Sequence, residues 1–176
     1  MSSETSAFAV PESVALAIKK DPVLLRLLFG LEKTDDPAWK LAPVAFGGDL
    51  YKLVRMLYGA GANECAALLD VECRMSPRFK KAGLFFDYEG YEVWVLKAPE
   101  AAAAYDFLSC ISYEKGEGVS NTAYLKKKAA ENGATDYEGE PIPEQAYDDY
   151  LRGYEKAEAF FRTCWEQKLW AVLCNA

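Results

Sequence analysis

Hydrophobic residues recur every three or four positions along most of this chain, which is the spacing of an amphipathic helix. Proline, glycine and small polar residues divide the pattern into segments, and several of them stand where helix caps are expected. The predicted helices cover residues 11–20, 21–30, 99–113 and 120–133, with a helical hairpin at 49–74. One turn of helix is also expected around Trp39.

The last third of the chain carries the clearest helical pattern. Apolar positions continue at helical spacing from Tyr147 to Val172, and charged residues fill the opposite side. This pattern predicts one long amphipathic C-terminal helix of about eight turns, which begins near Pro143.

Residues 84–97, LFFDYEGYEVWVLK, show a different pattern. Aromatic and β-branched residues dominate on both sides of Glu89-Gly90, as in a β-hairpin. Pairing Phe86 with Val93 gives one fully apolar face, whereas a one-residue slip mixes polar and apolar side chains. The core-facing side chains are then Leu84, Phe86, Tyr91, Val93 and Val95, and the opposite face holds Phe85, Asp87, Glu92, Trp94 and Leu96. A lone hairpin is only marginally stable, so it must pack on helices or gain a third strand, which the sequence does not identify.

Length and composition predict a single globular domain over residues 1–176. The chain has 51% hydrophobic and 27% charged residues. This composition is that of an ordinary folded protein. The polar residues 1–10 are expected to form a flexible N-terminal tail. Together with the hairpin and helices, these features predict an α+β fold, mostly helical, with a small antiparallel sheet packed on helices.

Nothing in the sequence resembles a secretory signal or a membrane span. The first basic residue is Lys19, and the apolar run VLLRLLFG is interrupted by Arg26. The five cysteines are scattered and include no CxxC pair, so free thiols are expected rather than disulfides or zinc ligands. These features predict a cytoplasmic protein that has no association with a membrane.

The chain contains no histidine. This excludes Ser-His-Asp and Cys-His nucleophile arrangements, histidine-containing zinc sites and HExxH proteases. Carboxylates, lysine, tyrosine or an unassisted cysteine remain as catalytic groups. No pattern assigns a catalytic residue, a metal site or a cofactor, so none is predicted.

The outward face of the predicted hairpin is the first candidate binding site. Asp87 lies across from Glu92, and opposed like charges destabilise a sheet. This repulsion could be relieved in four ways: by solvent at the hairpin tip, by a basic partner, by a bridging Lys or Arg, or by a divalent cation. The aromatic residues on this face belong either to the core or to an exposed contact patch. The candidate partner-binding residues are Phe85, Asp87, Glu89, Glu92 and Trp94.

An acidic segment at residues 136–158 is the second candidate. It holds eight Asp or Glu against one Arg and one Lys, while the net charge of the whole chain is −7. Carboxylates at a helix N-terminus with tyrosines in the core would explain this composition structurally. A surface that attracts a basic partner would explain it functionally. The candidate partner-binding residues here are Glu144, Asp148, Asp149 and Glu155.

These observations favour an acidic protein-binding module of the inhibitor, immunity or anti-defence type. It would occupy a basic surface of its partner, for example that of a nucleic-acid-binding protein. Direct nucleic-acid binding is not expected, because Lys126–Lys128 is the only basic cluster. Two alternatives stay open. One is a metal-dependent enzyme that uses Asp87 and Glu92 with Asp148 or Asp149, and the other is a self-assembling structural component of a virus or mobile element. Both a monomer and a homodimer fit the sequence.

Overall fold

An antiparallel β-sheet forms the centre of the molecule. The structure, a computed structural model, describes residues 4–114, 116 and 118–176. The strands in these residues are β1 (Thr5–Val10), β2 (Val44–Gly47), β3 (Phe85–Tyr88), β4 (Tyr91–Leu96) and β5 (Trp170–Asn175). Their order across the sheet is β2-β1-β5-β4-β3, and every neighbouring pair is antiparallel.

Helices surround this sheet, so the predicted α+β and mostly helical fold is confirmed. They are α1 (Glu12–Lys20), α2 (Leu25–Leu28), α3 (Asp49–Gly59), α4 (Asn63–Leu69), α5 (Val71–Arg74), α6 (Pro77–Lys81), α7 (Ala98–Glu114), α8 (Asn121–Asn132), α9 (Tyr147–Tyr150) and α10 (Tyr154–Gln167). The helix predicted at 120–133 is capped at both ends: Ser120 accepts a hydrogen bond from the Ala123 amide at 3.3 Å, and Gly133 ends α8 with a left-handed φ of 70°. In the described part of the chain, no helix is long and apolar enough to cross a membrane.

Both faces of the sheet are buried. On one face, Phe8, Val95 and Val172 pack with residues of α1 and α2. The opposite face is covered by a thicker layer that includes α3, α4, α7, α8 and α10. Because side chains alternate along a strand, β1, β3, β4 and β5 each contribute to both cores. The edge strand β2 contributes Phe46 to the second core alone.

The predicted hairpin is present in the predicted register. Phe86 pairs with Val93, and Asp87 lies opposite Glu92. Glu89 and Gly90 form the turn with positive φ angles of 49° and 87°. The third strand that the hairpin requires is β5, which pairs with β4.

Two predictions about the chain ends were wrong. The expected tail at residues 1–10 contains β1, which pairs with β2 on one side and β5 on the other, while residues 1–3 lie outside the described residues. The expected eight-turn C-terminal helix is divided: α9 is short, α10 ends at Gln167, and Lys168 takes a left-handed φ of 54° before β5 begins. Residues 170–175 are a strand because both their faces are buried in the sheet core.

A buried arginine joins the hairpin to the helical layer. Arg74 at the end of α5 is 2% exposed, and its Nη1 lies 3.0 Å from Oε1 of Glu100 in α7. Its Nη2 donates to the Val95 carbonyl of β4 at 2.9 Å. The guanidinium also lies 3.9 Å from the ring centroid of Phe79. A buried charge requires such partners, since desolvation alone strongly disfavours it.

Replacing Glu100 with Ala is expected to lower the free energy of unfolding by about 3 kcal/mol, because it leaves the Arg74 charge buried without its carboxylate. Urea denaturation measures the change. Asp106→Ala, at an exposed position of the same helix, is the matched control and should change stability little. Equal losses in the two variants would contradict this account of Arg74.

Candidate functional site

A row of polar residues crosses one end of the sheet. Thr5, Asn175, Glu92 and Asp87 are successive cross-strand partners on β1, β5, β4 and β3. The Thr5 hydroxyl donates to Oδ1 of Asn175 at 3.3 Å, and Nδ2 of Asn175 donates to Oε2 of Glu92 at 3.0 Å. In the opposed pair of Asp87 and Glu92, the Glu92 carboxylate therefore accepts a hydrogen bond from the Asn175 amide. Asp87 is exposed to solvent at the edge of the sheet.

The next row inward is apolar, and it corrects the prediction for Phe85 and Trp94. These two side chains are paired across β3 and β4, and each is only 1% exposed. Leu173 of β5 and Ala7 of β1 continue the row, also fully buried. Phe85 and Trp94 therefore belong to the core below α3 and α7, and neither can serve as a surface contact for a partner.

A cavity of about 40 Å³ lies where these two rows meet the helices. Its apolar wall is formed by Leu50, Val54, Leu69 and Val71. Its polar lining comprises Thr5, Tyr51, Arg55, Asp70, Tyr137 and Asn175. Trp94 lines the same cavity, and its indole Nε1 is buried without a hydrogen-bond acceptor among the described protein atoms.

Asp70 organises one wall of the cavity. Its Oδ1 caps α5 by accepting from the Glu72 amide at 3.0 Å, and its Oδ2 accepts from the Tyr58 hydroxyl at 2.9 Å. The Sγ of Cys73 lies 3.1 Å from the same hydroxyl. Burial, followed by the hydrogen bonds to Cys73 and Asp70, raises the pKa of Tyr58, so this phenol stays protonated and keeps donating.

Tyr51 stands between the cavity and the surface. Burial is the main reason that its pKa rises to about 12, and the nearby Arg55 guanidinium opposes the rise. Its ring contacts that of Tyr137 with a centroid distance of 5.2 Å. Asp136 and Tyr150 also belong to the electrostatic surroundings of its hydroxyl, so two parts of the acidic segment meet at this residue.

The turn at residues 136–140 docks on α3 beside the cavity. Arg55 donates from Nε to the Thr135 carbonyl at 3.1 Å, and Asp136 closes the turn by accepting from the amides of Glu138 and Glu140, both at 2.9 Å. Gly59 permits the close approach, because a Cβ there would lie 2.4 Å from that of Ala134. The turn leaves Tyr137 53% exposed.

Cations from other helices pair with two of the predicted acidic residues. Asp149 binds Lys52 of α3 at 2.5 Å and also pairs with Arg152. The hydrogen bond from Lys52 is the largest cause of the lowered pKa of Asp149. Asp148 pairs with Lys126 of α8. Much of the charge at these two positions is therefore neutralised within the protein.

Other carboxylates of the segment remain exposed. Glu138, Glu140, Glu144 and Glu155 have no ion-pair partner among the described residues. We call these four residues, together with Tyr137, Asp148 and Asp149, the acidic surface. Glu89, predicted with the hairpin, instead lies 3.7 Å from Arg26.

The sequence-based hypothesis of a carboxylate metal site gains no geometric support. The described residues contain no group of three or more Cys, Asp or Glu side chains arranged to hold a metal ion. The five cysteines are free thiols, as predicted, and Cys65, Cys164 and Cys174 are buried. Burial raises the pKa of each of these three to about 12, so they are un-ionised and unreactive near neutral pH.

Comparisons with known proteins show the fold alone. No protein-family model matches this chain, and no curated protein sequence matches it. Among solved structures, the chain is similar to the crystal structure of YfbM from Escherichia coli, a protein of unknown function. The TM-score is 0.53 with 14% sequence identity, and the likeness covers 98% of this chain and 99% of that one.

Sequence reasoning missed the cavity and its polar lining. Thr5 lies in the predicted tail and Asn175 lies beyond the predicted C-terminal helix, so the sequence assigns neither residue to a site. Tyr51 and Arg55 lie within the predicted helical hairpin at 49–74, and no sequence pattern marks either of them. The one available signal was Tyr137, a large aromatic residue inside the acidic turn sequence DYEGE.

Replacing Asp149 with Asn is expected to lower the free energy of unfolding at pH 7 by about 0.5 kcal/mol, a small value because the carboxylate is partly exposed and screened. Since the folded-state pKa is lowered, this contribution is present above the unfolded pKa of about 3.9 and disappears as pH falls through the folded value. Chemical denaturation across this acidic range measures it. The free energies of unfolding of the variant and of wild type should then converge at the lowest pH. A difference in the free energy of unfolding that persists at low pH would contradict the assignment of this stabilisation to the ionised Asp149 carboxylate.

Proposed function

We propose that this protein is a cytoplasmic binding module of the inhibitor or immunity type, whose acidic surface occupies a basic surface of a partner protein. The observation that carries the proposal is the group of exposed carboxylates at Glu138, Glu140, Glu144 and Glu155 that have no cationic partner in the described structure. The cytoplasm is proposed because five free thiols suit a reducing compartment.

The ion pairs of the acidic segment support this proposal more directly than its amino-acid composition does. Lys52 and Lys126 pair with two carboxylates of the acidic segment, so the exposed charge without an ion-pair partner in that segment lies on the four glutamates. Fixed charge of one sign raises the association rate with an oppositely charged partner and disfavours like-charged competitors. Such a surface would select a basic partner before any close contact forms.

The tyrosines add contact area to the charge. Tyr137 is exposed within the acidic turn and its ring rests against that of Tyr51. Tyrosine is common at binding hot spots, because it buries a large apolar area and retains a polar group. Its ring face also attracts Lys and Arg side chains. Tyr137 is therefore the residue in this surface that we expect to contribute most contact energy.

The proposal is tested with two variants of equal charge. One carries Glu138→Gln, Glu140→Gln, Glu144→Gln and Glu155→Gln, and the control carries Glu12→Gln, Asp35→Asn, Glu64→Gln and Glu166→Gln at exposed positions elsewhere. Wild type and both variants are immobilised to capture proteins from the host lysate. A captured protein with a basic surface is then purified, and its association rate is measured at several ionic strengths.

Wild type and the control should bind this protein alike, while the first variant should associate on the order of tenfold more slowly at low salt. Raising the ionic strength should reduce the difference. Tyr137→Ala should mainly increase the dissociation rate. If wild type retains no basic protein, or if the two charge variants associate at equal rates, the proposed function is wrong.

A further inference from the structure

We infer that a cleft lined by three lysines binds a small phosphorylated molecule, in which a phosphate dianion is attached to an apolar group. The lining of this cleft, which we call the lysine cleft, includes Glu12, Leu16, Lys19, Lys97, Lys168 and Trp170. The lysine cleft shares no residue with the acidic surface or with the cavity at Trp94. The inference therefore does not depend on the proposed function.

The lysine cleft lies at the end of the sheet opposite to the polar row. Trp170 begins β5 and pairs with Val10, the last residue of β1, whereas the polar row pairs Asn175 with Thr5. Five residues of extended strand span about 17 Å. A ligand in the lysine cleft is thus well separated from the cavity at the other end of the same strands.

Helix α1 forms one wall of the lysine cleft. Glu12, Leu16 and Lys19 are spaced by four and three residues, so they lie on one side of this helix. The Nζ atom of Lys19 lies 5.9 Å from the centroid of the Trp170 ring, which also lines the cleft. This contact places one positive charge at the cleft.

The ends of β4 and β5 form the opposite wall. The pairing of these strands ends at Leu96, and the same register continues to Lys97 beside Trp170. Side chains alternate along a strand, and both Val95 and Trp170 belong to the core on the α1 side of the sheet. Alternation therefore directs Lys97 to the α1 side as well. Lys168, two residues before Trp170, completes this wall.

The charge of the lysine cleft is positive, although the chain as a whole has a net charge of −7. None of the three lysines has an ion-pair partner among the described residues, and the only carboxylate in the described lining is Glu12. Three cations and one carboxylate leave two positive charges. A phosphate monoester carries up to two negative charges near neutral pH, so it matches this balance and relieves the repulsion between the lysines.

The start of α7 adds to the positive potential. Ala98 and Pro99 are the first two residues of this helix of 17 residues, and both line the lysine cleft. A helix N-terminus carries a partial positive charge. Glu100 in the first turn would oppose it, but the Glu100 carboxylate is already paired with Arg74. The anion that the cleft lacks is therefore not supplied by α7.

The size and the apolar part of the lining indicate an organic group besides the phosphate. The cleft volume of about 570 Å³ is within the range of small-molecule sites and exceeds that of a phosphate ion. Leu16 lines it with 46% of its surface exposed, and burying such apolar surface favours binding. Lysine binds phosphate as a point charge without a fixed geometry, so the three flexible side chains can adapt to the ligand.

Phenyl phosphate tests the inference, with phenyl sulfate and inorganic phosphate as comparison probes. Phenyl sulfate has nearly the same shape but only one negative charge, whereas phenyl phosphate carries two at pH 8. The ¹⁵N-labelled full chain is titrated with each probe at constant ionic strength, and the amide resonances of residues 97, 98 and 168–170 are followed by NMR.

We expect saturable shifts with phenyl phosphate and a dissociation constant on the order of millimolar. Phenyl sulfate, which lacks one charge, and inorganic phosphate, which lacks the ring, should each bind about fivefold more weakly. No saturable shift with phenyl phosphate overturns the inference. Equal affinity for phenyl phosphate and either comparison probe overturns it too.

Two double variants of equal charge locate the site. Lys97→Gln with Lys168→Gln should weaken phenyl phosphate binding about tenfold. The control, Lys33→Gln with Lys40→Gln, changes two exposed lysines outside the cleft lining and should leave the affinity unchanged. Equal affinities of the two double variants would overturn the inference.

Glu12→Gln should have the opposite effect. This change removes the one negative charge of the lining, so phenyl phosphate should bind about twofold more tightly. A gain in affinity cannot result from loss of the fold, and weaker binding by this variant would contradict the charge balance on which the inference rests.

Two other sources of negative charge are tested with the same resonances. A thymidine octanucleotide without a terminal phosphate has one charge per phosphate and should bind more weakly than phenyl phosphate. Tighter binding of the octanucleotide would make the lysine cleft a nucleic-acid contact. Shifts that grow with protein concentration in the absence of any probe would make it a contact between copies of the chain. Either result overturns the inference, whatever the outcome for the acidic surface.

Discussion

Backbone hydrogen bonding on both sides of β5 holds this fold together. Every residue from Trp170 to Asn175 has a partner on β1, and five of the six also have one on β4. Without β5, the remaining strands would form two separate two-stranded ribbons, which are marginally stable in water. Both helical layers pack on the sheet that β5 completes, so the cores on its two faces depend on the same six residues.

The candidate site depends on β5 as well. Asn175 is the centre of the polar row, where it accepts from Thr5 and donates to Glu92. One residue pair inward, Leu173 supports Trp94 at the edge of the cavity. Around this rigid platform, α3 brings Tyr51 and Arg55, which connect the cavity to the acidic turn. The sheet end and α3 thus bring the cavity and the turn at residues 136–140 together.

The local parts of the fold could be predicted from sequence. The hairpin register followed from alternation around Glu89-Gly90, and the helices followed from their spacing and caps. The segment WAVLCN could not be assigned, because a strand buried on both faces loses its alternation and resembles one side of a helix. The same difficulty applied to TSAFAV near the N-terminus, whose role as a strand depends on a partner about 165 residues away.

The acidic surface was partly predictable and the cavity was not. The excess of carboxylates in residues 136–158 is a local property of the sequence, which is why Glu144 and Glu155, both exposed, could be named as candidates. Their neighbours Asp148 and Asp149 are neutralised by lysines from distant helices, which composition cannot reveal. The cavity needs Thr5, Trp94 and Asn175 together, and only the sheet order brings them there.

The position of β5 in the chain also has a kinetic consequence. The central strand β5 follows β1–β4 in sequence, so β1 and the β3–β4 hairpin have no common partner until residues 170–175 have left the ribosome. Helical hairpins such as α3–α4 contain local contacts and can form early, whereas the pairing of β1 with β5 closes a loop of about 160 residues. During synthesis, the apolar faces of β1 and β4 therefore stay exposed until β5 pairs with them. Nascent chains are prone to aggregate while such surfaces are exposed.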